Sequence, residues 1–163
     1  MIDLTVPGFP NNIVAVLKEH FEAIDPDVPV LTRPIQKGDP IQCWGIVAAL
    51  WTPDEESWEF RGGPVLSGPT INRYLIGVQC FNQDMDQERG LSVSARMAGI
   101  ARNTLSRSAD VHVALGALTS TEQGFTERFR RSSVQGQRFL SNEIDGYFYH
   151  LSNLEFLVET EIM

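Results

Sequence analysis

Three classes of side chain in this 163-residue chain could support catalysis or metal binding, and they are scattered. His20, His112 and His150 could ligate a metal or move protons. None sits at a spacing such as HExxH from Cys, Asp or Glu, which a metal needs to gather several donors from a short segment. Cys43 and Cys80 are too few for a disulfide framework and too far apart for CxxC chemistry, so two reduced thiols are expected. The carboxylate pairs Asp54 with Glu55 and Asp84 with Asp86 have the residue types for acid–base work. Both also fit plainer roles, as solvated loop charge and as charge at a helix start. The chain lacks G-x-S-x-G, Walker A and G-x-G-x-x-G motifs, and the glycine-rich FRGGPVLSG has no lysine for a phosphate loop. No enzyme activity, cofactor or metal is expected.

The constellation that remains is cationic. FTERFRRSSVQGQRF, from Phe125 to Phe139, holds Arg128, Arg130, Arg131 and Arg138 in a chain of formal net charge -8. Acidic residues outnumber basic ones by 21 to 13, which argues against coating DNA or an anionic membrane through bulk charge. Any basic function must be local. Lysine occurs only at Lys18 and Lys37, so nearly all the cations are arginine, whose planar fork suits bidentate and stacking contacts at interfaces. An acidic protein surface is therefore the expected partner. Nucleic acid is the weaker alternative, because the rest of the chain would repel phosphates.

These residues must be positioned by a small number of elements. Asn11 and Asn12 predict a cap for a helix starting near Ile13, with Ile13, Val16, Leu17 and Ile24 at helical spacing, His20 and Phe21 between them, and Pro26 and Pro29 ending it. IQCWGIVAALW, residues 41–51, is apolar at both parities and predicts a strand covered on both sides or at a subunit contact. Residues 52–70 carry three prolines, three glycines and the acids Asp54, Glu55 and Glu56 between Trp51 and Trp58. That predicts a long loop, either mobile or projecting and ordered on assembly. Asn72 to Asn82 alternates as a half-buried strand, with Tyr74, Ile76, Val78 and Cys80 on one face. A long helix is expected from about Met85 to Arg107, with Leu91, Met97, Ala98, Ile100, Ala101 and Leu105 inward, and a shorter one from Asp110 to Leu118.

Two long strands, 125–140 and 147–159, flank Asp145-Gly146, a dipeptide suited to a two-residue turn that needs positive φ at both positions. In an unbroken ladder, Arg130 opposes Glu161, Arg138 lies diagonal to Glu155, and Glu159 shares their face. Arg131 falls out of step unless a bulge near Ser132 or Gly136 corrects it. Part of the arginine charge is then answered within the chain, leaving chiefly Arg128 and Arg131 for a neighbour. The plain alternative is a solvated hairpin face. Together the elements predict one α+β domain over residues 1–163: a roughly four-stranded, mainly antiparallel sheet, helices on one face, and a long loop between the first two strands. Neither a leader peptide nor a membrane span is expected, so a soluble, intracellular protein is the reading.

Several segments in this order resemble the tail terminator proteins of long-tailed bacteriophages, also called tail completion or minor tail proteins. They are RPIQKGDPIQCWGIVAALWTPDEESWEF, TINRYLIGVQCFNQDMDQERGLSVSARMAGIARNTL and ERFRRSSVQGQRFLSNEIDGYFYHLSNLEFLVET. Arg73, Tyr74, Val78 and Gln79 supply an RYxxxVQ-like strand, and an ERxRRxxVxxQRF-like strand leads into a YxxxxLEFxVET-like end. The resemblance spans residues 11–160. It implies a subunit of a homohexameric ring that caps the tail tube, stops its polymerisation and presents a surface to the head connector. Its partners would be itself, the tube protein and the head-closure protein, with no membrane and with DNA only in the ring lumen. It would reside in the virion tail, and in the host cytoplasm during assembly. A related neck or tube component is the alternative. A ring needs two different surfaces per subunit, and the acidic segment around Asp54, Glu55, Glu56 and Trp58 and the arginines at 128, 130, 131 and 138 are the candidates.

Overall fold

The computed structural model describes residues 8–49, 70–122 and 124–162. In chain order these form α1 (Phe9–Ile24), β1 (Val30–Leu31), β2 (Gln42–Ala49), β3 (Thr70–Asp84), α2 (Gln87–Arg107), α3 (Ala109–Gly116), β4 (Thr119–Glu122), β5 (Phe125–Ile144) and β6 (Tyr147–Ile162). The fold is α+β, and the strands make one six-stranded sheet in the order β1-β2-β3-β6-β5-β4. Neighbours are antiparallel except β1 and β2. The four expected strands are its centre. The two extra edge strands, of two and four residues, are too short or too polar (Thr119 to Glu122) to show alternation in sequence. The long loop with Asp54, Glu55, Glu56 and Trp58 lies outside the described residues.

The first helix begins earlier than its asparagines suggested. Gly8 is the N-cap, and Pro10 sits in the first turn, where a missing N–H costs nothing. Asn11 and Asn12 are therefore helical, and the buried stripe is Phe9, Ile13, Val14, Leu17 and Phe21, with Ile24 at the exposed end. Asp86 caps α2 by accepting from the Arg89 N–H at 3.1 Å, and Ser108 caps α3 through the Val111 N–H at 3.3 Å.

All three helices pack on one face of the sheet. Alternate residues Trp44, Ile46, Ile76, Val78, Leu154, Phe156 and Val158 meet Ile13, Leu17, Phe21, Met97, Leu105, Val111 and Leu115 in one core. Phe21 meets Trp44 edge to face, with centroids 5.1 Å apart. Leu91, expected in the inward band of α2, is instead 40% exposed, while Gly90 and Ser94 are buried. The small residue at 90 lets the helix approach the sheet: a Cβ there would lie 2.8 Å from His150 Nε2. Among the described residues no helix is long and apolar enough to cross a membrane.

Candidate interface at the β5–β6 hairpin

The hairpin turns at Asp145 and Gly146, with φ of 53° and 80°, as the dipeptide predicted. From the turn up to Gly136 opposite Glu155 the ladder has the expected register. Two bulges then shift it, between Val134 and Gly136 and between Phe129 and Arg131. Each adds a residue to β5 with none added to β6, which sharpens the local twist and resets the facing of everything beyond.

The arginines are re-sorted in consequence. Arg128, rather than Arg130, opposes Glu161, and Arg131 opposes Glu159. The residue out of step is Arg130, not Arg131. Arg128 donates to Glu161 from Nε and Nη2, each at 3.3 Å. Arg131 forms a two-pronged pair with Glu159, Nε to Oε2 and Nη2 to Oε1 (3.2 Å), while Arg73 donates its Nε to Oε1 at 3.1 Å from the next strand. The Glu159 side chain is only 6% exposed, so these two guanidinium groups compensate a nearly buried charge. The Arg131 hydrogen bond is the main influence holding its carboxyl below the usual range, against the opposing effect of burial, with Arg73 adding to the lowering. Arg138 is diagonal to Glu155, as expected, but opposes Asn153, and no ion pair joins Arg138 to Glu155. Arg130 and Arg138 are exposed and have no carboxylate partner among the described residues. Arg128 and Arg131, expected to face a neighbour, are thus the pair engaged within the chain.

A second polar group was missed by sequence reasoning. Glu127 accepts from the Tyr74 hydroxyl at 2.5 Å, from Thr160 Oγ1 and from Asn72 Nδ2 at 3.5 Å, tying β5, β3 and β6 together. Burial, reinforced by Glu127, raises the Tyr74 hydroxyl well above its ordinary pKa and keeps it a donor. The available signal was parity: Glu127 lies two residues from Phe129, on the helix-covered face.

From Gln137 to Ile144 β5 is exposed on both faces, with Phe139 on the α2 side, Leu140 and Ile144 on the other, and Tyr147 opposite Ile144; Leu140 is 65% exposed. The opposite edge of β5 is paired only at Phe125 to Arg128, by β4. From Phe129 to Ile144 it has no second neighbour among the described residues. Beside that edge, α2 and β5 enclose a groove of about 520 Å³ lined by Leu91, Ser94, Ala98, Arg102, Gln137 and Phe139, among others. The Ser94 hydroxyl is buried there without a hydrogen-bond partner among the described residues.

The other residues singled out by chemistry are dispersed. His20 Nδ1 bonds to the Val16 carbonyl (2.8 Å) and His112 Nε2 to that of Leu105 (3.1 Å). His150 is buried beneath α2, stacks on Phe139 and lies 3.1 Å from Ser141 Oγ through Nδ1. Burial pushes the Cys43 thiol up to about 11 and the Cys80 thiol up to about 12, which suppresses the reactive thiolate. Asp84 forms a two-pronged pair with Arg89 (2.6 and 2.8 Å), whose hydrogen bonds lower its carboxyl to about 2. No cluster of metal-ligating side chains occurs among the described residues.

No family model and no curated protein matches this chain. Among the solved structures that match, one superimposes with a TM-score of 0.43 at 12% identity, over 91% of this chain and 89% of its own.

Proposed function

We propose that this chain is a structural subunit of a phage tail, assembling into a ring at the end of the tail tube, ending tube polymerisation and offering the head-joining surface. The observation that carries the reading is the β5–β6 hairpin, where Phe139, Leu140, Ile144 and Tyr147 are exposed beside a strand edge that has no second neighbour among the described residues. Exposed apolar side chains along a strand and its turn mark a macromolecular contact surface, and a strand edge without a second neighbour is a template for another chain. The likeness of residues 11–160 to tail terminators supplies the kind of assembly.

The expected outcome is self-association at high protein concentration, seen as a rise in mass by light scattering, with six-fold rings in negative stain and capture on purified tail tubes. Persistent monomers that do not bind tubes overturn the proposal. Retention on DNA at low salt, lost steeply toward physiological salt, would favour a nucleic-acid module instead.

A further inference from the structure

Given the self-assembling subunit proposed for this chain, we infer that copies associate head to tail, the β5 edge of one copy receiving the α1–β1 corner of the next. The two sides of the sheet carry clusters of opposite charge that have no ion-pair partner among the described residues. On the β5 side, Arg130 and Arg138 are exposed, Arg102 lines the groove under α2, and none has a carboxylate partner among the described residues. On the far side, Glu19, Asp25 and Asp27 are exposed and lack a cationic partner among the described residues. Of the neighbouring cations, Lys18 pairs with Glu22 at 2.6 Å and Arg33 with Asp39 at 2.6 Å, while Lys37 stands exposed in the β1–β2 connection.

The α1 terminus makes this corner ask for a cation. Helix C-terminal carbonyls carry partial negative charge and are normally met by Lys, Arg or His. The last turn of α1 has no basic residue, and it runs into Asp25 and Asp27. A guanidinium from a second copy supplies what the terminus lacks.

The two sides also stand level. Leu31 pairs with Gly45, Gly45 with Gln79, Gln79 with Asn153 and Asn153 with Arg138, so one row crosses the sheet from the β1 edge to Arg138. Asp27 lies three residues before Val30, at the start of β1. Apolar surface accompanies the charge: Leu91 and Phe139 on the receiving side, Ile24 and Ile41 (64% exposed) near the entries to α1's far end and β2. The alternative of two β5 edges pairing with each other would bring arginines against arginines, whereas the head-to-tail contact joins unlike surfaces and repeats around a ring.

The test uses two full-length variants. One carries Arg130→Glu and Arg138→Glu. The other carries Glu19→Lys and Asp27→Lys, leaving Asp25, whose carboxylate accepts from the Asp27 N–H at 3.0 Å. Each alone should self-associate about tenfold or more less tightly than the wild type in sedimentation velocity, with unchanged circular dichroism. Mixed in equal amounts they should recover assembly, because every contact again joins opposite charges. If a reversal perturbs folding, Arg138→Gln and Asp27→Asn give the smaller loss. Wild-type assembly that neither variant weakens, or variants that do not rescue one another, overturn the contact while leaving the ring reading standing. A wild type that never assembles overturns both.

Discussion

Glu159 shows how much of the arginine strand belongs to the fold itself. Its carboxylate is held by Arg131 from one neighbouring strand and Arg73 from the other, and it is nearly buried. A carboxyl held below its unfolded value stabilises the fold above that value, about 4.3 for Glu, and the contribution is lost as pH falls through the lowered one. Asp39 and Asp84, each lowered to about 2 chiefly by Arg33 and Arg89, act in the same direction. Urea unfolding should therefore show stability falling as pH goes from about 5 toward 2, and Glu159→Gln should flatten part of that fall. An identical slope in the variant would remove Glu159 from the account. Gly90 is the other decisive position. A methyl group there meets His150 Nε2 at 2.8 Å, so either the buried ring or α2 must shift, and Gly90→Ala should cost about 1–3 kcal/mol despite its better helix propensity. Chemical denaturation checks it, and a stabilised variant would show that the helix shifts freely.

The β5–β6 ladder is the element on which the arginines depend. Its two bulges explain why the expected pairing holds near the turn and fails beyond it. Gln135 is the extra residue of one bulge, with Gly136 already opposite Glu155 and Val134 already opposite Phe156. Deleting Gln135 should leave both flanking registers intact and change stability by about 1 kcal/mol or less. Deleting Asn153, which is paired on both sides without a bulge, flips the parity of β6 against β3 and β5 and should unfold the protein. Circular dichroism and urea midpoints distinguish the two. The hairpin, its turn and the facing of β3 were legible because alternation and Asp145-Gly146 are local signals. Leu91 was misplaced because helical spacing does not say that Gly90 and Ser94 bring the helix down on a different line. The bulges were illegible in position because an inserted residue leaves no mark of its own in an exposed strand: Arg130 and Arg131 have the same side chain, and only the ladder to β6 decides which one is extra.

At the scale of the whole molecule, the helices cover one face of the sheet and leave its lateral sides different from each other. One side ends in the two residues of β1 beside an acidic helix terminus, the other in a long strand whose Arg130 and Arg138 have no carboxylate partner among the described residues. That asymmetry is what the ring proposal and the charge-exchange experiment address. The same open side has a meaning before any assembly exists. Before any partner arrives, one edge of β5 has no neighbour from Phe129 onward among the described residues, the kind of edge through which flat strands recruit one another into aggregates. The bulges at Arg130 and Gln135 twist the half of that edge nearer β4, and Arg130 and Arg138 repel a second copy of the same edge. What looked like irregularity in a ladder thus acts as a safeguard against pairing of like edges.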